Sequence, residues 1–269
     1  MRRSPLIALF AAAALAGCGG ASHHQTVPPE RMLDSAAAHP IRSADADTEM
    51  RIRVAGVPRL SGPINLRLEG PYRSGGGTRI PSFDWRLLVS AIGFPVSGRL
   101  ISTGDNVYLT VYGNQYEVGA DSVSAANSRL AEAGGLRLDL RGWLGAARLA
   151  GQDEAGGVDC ERIAAPLRGG AMARDLAPLL AGLGFEEPSV SGSAVACIGF
   201  DDRVLHELRI DALLGLSPSD QARLGGVTNV AIDGDVTLSD VGKAQEISAP
   251  HGSFRPIRDL FLTLSDLAG

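Results

Sequence analysis

Along much of this chain apolar and polar residues alternate with a period of two, the signature of half-buried β-strands. In INLRLEG, Ile64, Leu66 and Leu68 fall on one face and Asn65, Arg67 and Glu69 on the other, and MRIRVAGV from Met50 has the same form. SFDWRLLVSAIG places Phe83, Trp85, Leu87, Val89 and Ala91 together. FPVSGRLIST and NVYLTVYG read as a hairpin turning at Gly104-Asp105-Asn106. Its second strand is apolar or aromatic on both faces, with Val107, Leu109 and Val111 against Tyr108, Thr110 and Tyr112. In a curved sheet the aliphatic set suits the concave side, and the tyrosines suit the convex side, where their hydroxyls reach water.

Helical periods interrupt the strands. PERMLDSAAAH begins with Pro29 in its first turn. ADSVSAANSRLAEAGG has Asp121 or Ser122 as N-cap and Gly134-Gly135 as stop. RGWLGAARLAGQDEAGG reads as a short helix and a turn, and GAMARDLAPLLAGLG as a helix interrupted at Pro178. Further strands follow in GVDCERIAAPL, VSGSAVACIGF, RVLHELRIDALLGL and TNVAIDGDVTLSDVG, with a short one at EISAP and a last helical turn or two in PIRDLFLTLSDLAG. The expected fold is α+β: a single meandering, strongly curved antiparallel sheet with helices packed on its concave face.

The start of the chain has another character. MRRSPLIALFAAAALAGC joins a basic start to an apolar run from Leu6 to Leu15, a secretory signal peptide too short to be a comfortable transmembrane span. Leu15-Ala16-Gly17-Cys18 resembles the bacterial lipobox, which implies acylation of Cys18 and cleavage before it. The expected organisation is a signal peptide at 1–17, a lipidated tether at 18–29 and one domain at 30–269, anchored by Cys18 on the extracytoplasmic side of the cell membrane.

Two cysteines remain for an oxidising compartment. If the Cys160 and Cys197 strands pair antiparallel with Leu167 opposite Val190, Cys160 falls opposite Cys197 and a disulfide can join them; two buried free thiols are the alternative. The formal charge is −5, and Lys243 is the single lysine, so nucleic acid is not an expected partner.

Catalytic and metal constellations do not assemble. His206 alternates with Val204, Leu208 and Ile210 and reads as a hydrogen-bonded core histidine, while His23-His24 sit on the tether. Asp45-Ala-Asp47-Thr48 lacks the apolar strand that an aspartyl-nucleophile motif needs just before it. Asp201-Asp202 and Asp233-Gly-Asp235 read as turn residues, with weak calcium binding as the alternative, and Gly75-Gly76-Gly77 lacks the Lys-Ser/Thr of a phosphate loop. No Gly-x-Ser-x-Gly elbow occurs. No catalytic residue, metal or cofactor is expected.

In order along the chain, GRLISTGDNVYLTVYGNQYEVG, WLGAARLAGQDEAGGVDCERIAAPL and VTLSDVGKAQEISAP resemble the LppX/LprAFG family of bacterial lipoproteins, within the LolA/LolB-like superfamily. The resemblance runs from about residue 45 to 260 and carries no catalytic motif. It implies an incomplete β-barrel around helices, an apolar cavity between them, and binding or transfer of lipids or lipidated molecules at the outer side of the cytoplasmic membrane. One departure is DCERI, where family members often carry a polar Thr-His stretch.

Only 5% of residues are aromatic and the helices are rich in Ala and Gly, which favours a void beneath the sheet; a solid core is the alternative. The expected wall of a lipid cavity is Leu66, Leu68, Trp85, Leu87, Val89, Leu100, Val107, Leu109, Val111, Leu208 and Ile210. The expected partners are a lipid or lipidated ligand, the membrane through acylated Cys18, and an envelope transporter whose identity stays open. The rival reading is a non-enzymatic envelope lipoprotein that docks or senses a protein through a surface over a filled core.

Overall fold

The computed structural model describes residues 27–57, 62–91, 94–132, 139–182 and 188–260. The signal peptide, Cys18, His23-His24, most of the tether, the Gly134-Gly135 stop and the segment after residue 260 lie outside the described residues.

The elements in chain order are α1 (Pro29–Ala38), β1 (Ser43–Ala55), β2 (Ile64–Arg73), β3 (Ser82–Ala91), β4 (Phe94–Ser102), β5 (Val107–Val111) and β6 (Asn114–Glu117). Then come α2 (Ala120–Glu132), α3 (Leu140–Trp143), β7 (Arg148–Ala155), β8 (Val158–Pro166) and α4 (Gly169–Gly182). The chain continues through β9 (Ser189–Gly199), β10 (Leu205–Gly215), α5 (Pro218–Arg223), β11 (Asn229–Ser239) and β12 (Arg255–Pro256). The fold is α+β, and the described residues form an open, curved sheet of 12 strands in the order β12-β6-β5-β4-β3-β2-β1-β11-β10-β9-β8-β7. Every pair is antiparallel except β12 with β6.

This is not one meander. β6 and β7 follow each other in sequence but lie toward opposite edges, because α2 and α3 carry the chain between them. Two meanders meet instead where β1 pairs with β11 from Asp45↔Ser239 to Ala55↔Asn229. β11 thereby has both edges filled, by β1 and β10. EISAP accordingly is not a strand: no place beside β11 remains, and the chain travels on to pair at Arg255 with Tyr116 of β6.

Other local differences have local causes. β7 replaces the expected turn; Gln152, Asp153 and Glu154 are exposed, so this edge strand lacks the alternation that marks a half-buried one. α5 follows Leu214 with Ser217 as N-cap, its hydroxyl accepting from the Asp220 N–H, and Pro218 in its first turn. α2 starts at Ala120, which puts Asp121 in its first turn, where a carboxylate favours the helix dipole, rather than at the N-cap. α4 runs through Pro178 to Gly182; its N-terminal end is held so close to β9 that a Cβ on Gly169 would strike the Val190 carbonyl.

The main core lies on one face of β8, β9 and β10. Met32, Leu33 and Ala36 of α1 pack there with Leu144, Ile163, Ala165, Ala194, Ala196 and Ile198. Full burial of Met32 or Leu33 contributes about 1.5–3 kcal/mol each. The small Ala side chains of β8 and β9 let the helix approach, and here the small residues belong to the packed core. Arg141 Nε to Asp34 (2.7 Å) ties α3 to α1, and Trp143 Nε1 to Asp175 (2.8 Å) ties α3 to α4.

Candidate functional site

Strand register shows which side chains share a face. Leu109 lies opposite Leu100, and Leu100 opposite Trp85. Val111, Gly98, Leu87, Leu68 and Thr48 form one row, which continues through Val236 to Leu208. Val89, Leu66, Met50, Gly234 and Ile210 form another. Val107 is opposite Ser102, which is opposite Phe83. All eleven residues expected to line a cavity therefore stand on one face, the face that carries the Ile163, Ala194 and Ala196 core.

That face is not covered evenly. Over β8 and β9 it is closed: Ile163, Ala196 and Ile198 are 0% exposed beneath the helices. Over β1, β2, β3 and β11, Met50, Leu66, Leu68, Leu87, Val89 and Val236 are only half-buried, as are Leu100 and Leu109 further along. Leu208 and Ile210 mark the boundary, half-buried and packed against the closed core. α2 is fastened at the other end of the face: Asn127 accepts from the Ile80 N–H at 2.7 Å and donates to the Gly104 carbonyl at 3.0 Å. Between these two helix attachments lies a broad aliphatic wall with Met50, which sequence reasoning left out; its place opposite Leu66 follows only from the β1–β2 pairing.

The opposite face is polar. A groove of 670 Å³ crosses it from β3 to β9, bordered by Arg67, Leu88, Arg209, Asp211, Asp233 and Asp235 among others. Of the eleven residues only Leu66 and Ile210 border it, each between two polar-face neighbours. The groove charges meet across strands: Arg67 to Asp47 (2.7 Å) and Glu49 (3.0 Å), Arg209 to Asp235 (2.8 Å), Arg53 to Asp233 (3.0 Å). Such exposed pairs contribute about 0–1 kcal/mol each. Asp233 and Asp235 are thus strand residues, not turn residues.

Asp45 and Asp47 also sit inside a strand, β1, on the polar face. Burial, helped by the carboxylates of Asp240, Glu69 and Asp47, holds the Asp45 carboxyl above the ordinary value of 3.8. Folding therefore disfavours its charged form, a cost present at neutral pH and removed as pH falls through the raised pKa towards 3.8. Asp45→Asn is expected to stabilise the chain at pH 7 by about half a kcal/mol or less, because the side chain is partly exposed. Thermal melts at pH 7 and near pH 4 check this, since the gain should disappear at the lower pH.

The Cys160–Cys197 disulfide is present, with Cα atoms 5.4 Å apart, but the register beneath it differs from the expected one. Cys160 is opposite Gly199 and Cys197 opposite Arg162, a slip of two residues that makes the bridge diagonal. A two-residue slip leaves every side chain on its face, so hydrophobic pattern cannot detect it. The sulfurs lie on the polar face with Ala155, all buried. The β7–β8 turn folds over this corner until Gly156 rests against the Leu238 backbone of β11.

His206, 3% exposed, fills the same corner in a bulge between Leu205 and Glu207 that breaks the expected alternation with Leu208. Its Nε2 is 2.7 Å from Asp202 and its Nδ1 3.4 Å from the Leu238 carbonyl. Burial alone would raise the Asp202 carboxyl, but the Val204 N–H and the His206 ring hold it below 3.8. Among the described residues no three His, Cys, Asp or Glu side chains cluster to hold a metal, and no helix is long and apolar enough to cross a membrane.

No family model matches the sequence. No curated protein matches it either. The structure is similar to LprF from Mycobacterium bovis, with a TM-score of 0.51 at 12% identity over 83% of this chain and 97% of that one. The lipoprotein LppX from Mycobacterium tuberculosis aligns with a TM-score of 0.40 at 11% identity, over 82% and 98% of the two chains. A LolA superfamily protein from Nitrosomonas europaea aligns at 0.27 and 8% identity, over 80% and 95%. The LprF similarity shows the fold: this chain has an LprF-like architecture.

Proposed function

We propose that this protein is a lipid-binding or lipid-carrying lipoprotein of the cell envelope, tethered by acylated Cys18, that holds acyl chains on the aliphatic face of its sheet. One observation carries the reading: the same apolar face is sealed by helices over β8 and β9 and left half-buried over β1, β2, β3 and β11. A filled core would press Leu66, Leu68, Leu87 and Val89 to the burial seen at Ile163. Each methylene that an acyl chain moves from water onto this wall contributes about 0.8 kcal/mol. The LprF-like fold and the sequence resemblance to LppX/LprAFG lipoproteins point the same way.

Protein purified without exogenous lipid, then extracted with organic solvent and examined by mass spectrometry, is expected to release acyl lipid in near-stoichiometric amount. A lipid-free protein that also refuses added acyl probes would sink the proposal and favour the protein-docking alternative.

A further inference from the structure

The indole Nε1 of Trp85 is enclosed and meets no hydrogen-bond acceptor among the described residues. Its ring stands on the aliphatic wall, opposite Leu100, and stacks on Phe83 with centroids 4.0 Å apart. Trp143, the second of the chain's two tryptophans, shows the ordinary solution for a buried indole, donating to Asp175 at 2.8 Å. Phenylalanine would supply an aromatic ring able to stack on Phe83 at this position without a donor to satisfy. Two hydroxyl residues stand opposite Phe83 on this face, and both are engaged elsewhere: Ser102 donates to the Pro81 carbonyl at 2.7 Å and accepts from the Gly104 N–H at 3.2 Å, and Tyr72 is hydrogen-bonded with Ser74.

The charges on the sheet narrow what can answer this donor. Arg51, Arg67, Arg86, Arg99 and Arg209 all project from the opposite face. Among the described strand residues a free carboxylate brought against this wall would find no arginine on its face, whereas a neutral carbonyl asks only for a neutral donor.

We propose that Trp85 is the polar reading point of the acyl site: its N–H donates to the carbonyl oxygen of an esterified acyl chain, once the ligand parts the side chains that enclose it. The ligand class is then acyl ester, neither bare hydrocarbon nor free fatty acid. This inference rests on the acyl-binding reading above, and its test separates the two.

The test uses the purified full chain and its Trp85→Phe variant. Dodecylpyrene, which carries no oxygen, reports apolar binding by its fluorescence; methyl palmitate and palmitate are then titrated as competitors. Wild-type protein is expected to prefer methyl palmitate to palmitate. In the variant, methyl palmitate affinity should fall about tenfold further than dodecylpyrene affinity does, a difference equivalent to about 1.4 kcal/mol. Unchanged methyl palmitate affinity in a variant that still binds dodecylpyrene overturns the Trp85 role alone. Failure of wild-type protein to bind dodecylpyrene and methyl palmitate overturns the acyl-site reading, and this inference with it.

A readout on unmutated protein guards against a folding defect in the variant. In ¹⁵N–¹H spectra the Trp85 indole proton should move downfield with methyl palmitate and not with hexadecane, while the Trp143 signal stays fixed. A Trp85 signal that ignores the ester counts against the proposal.

Discussion

Replacing Leu87 by aspartate is expected to weaken acyl-chain binding by more than about tenfold in a protein that still folds, whereas the same change at Ile163 is expected to unfold it. Both residues stand on one face of one sheet, and only their cover differs. Ile163 is 0% exposed in the closed core, so a carboxylate there has neither water nor a cation. The cost exceeds about 4 kcal/mol, a large part of the stability of an ordinary domain. Leu87 is half-buried between Leu68 and Gly98, and an aspartate there keeps contact with water. Stability should fall by about 1–2 kcal/mol, the share of leucine burial that is lost. An acyl chain laid on the wall would then have to strip water from a charge, which should weaken dodecylpyrene binding by more than about tenfold. Thermal melts and dodecylpyrene titration on the two variants check both halves. Equal destabilisation at the two positions would mean that the wall is packed as tightly as the core, and the binding proposal would fail.

The second large effect is the staple. Converting Cys160 and Cys197 together to alanine is expected to cost about 3–4 kcal/mol, because the bond closes a loop across a sequence separation of 37 residues. For a domain of this size that is a fall of about 10 °C in Tm. Alanine keeps the buried corner around Ala155 apolar, so most of the loss is the restored freedom of the unfolded chain. Because the sulfurs lie on the polar face, dodecylpyrene affinity below the melting transition should stay within about twofold of wild type. A strong loss of binding would show that the bridge shapes the aliphatic wall, contrary to its place in the register.

How far the sequence carried is clearest at particular residues. Period two assigned Leu66, Leu68, Leu87 and Val89 to one face, because side-chain direction in a strand depends only on parity. The lipobox-like LAGC segment and its acylation remain a reading of sequence, since Cys18 lies outside the described residues. Parity does not report which strand lies beside which. The β1–β11 pairing joins residues almost two hundred positions apart and leaves no local trace. The two-residue slip at Cys160 is equally invisible, because it returns each side chain to the same face. β7 escaped because an edge strand wetted on both sides has no alternation to show.

By itself, then, the sequence determined the two chemically distinct faces, the strand-rich class and the pair of cysteines able to bridge. The tertiary structure alone decided how the aliphatic face is shared out: α1, α3 and α4 close it over β8 and β9, α2 is fastened beyond, and Met50, Leu66, Leu87 and Val89 are left half-buried between them. The physical reason is that amphipathicity is a property of each segment alone. Cover depends on where separate segments meet, and those contacts are set by non-local pairing and by the close approach that Ala194, Ala196 and Gly169 permit.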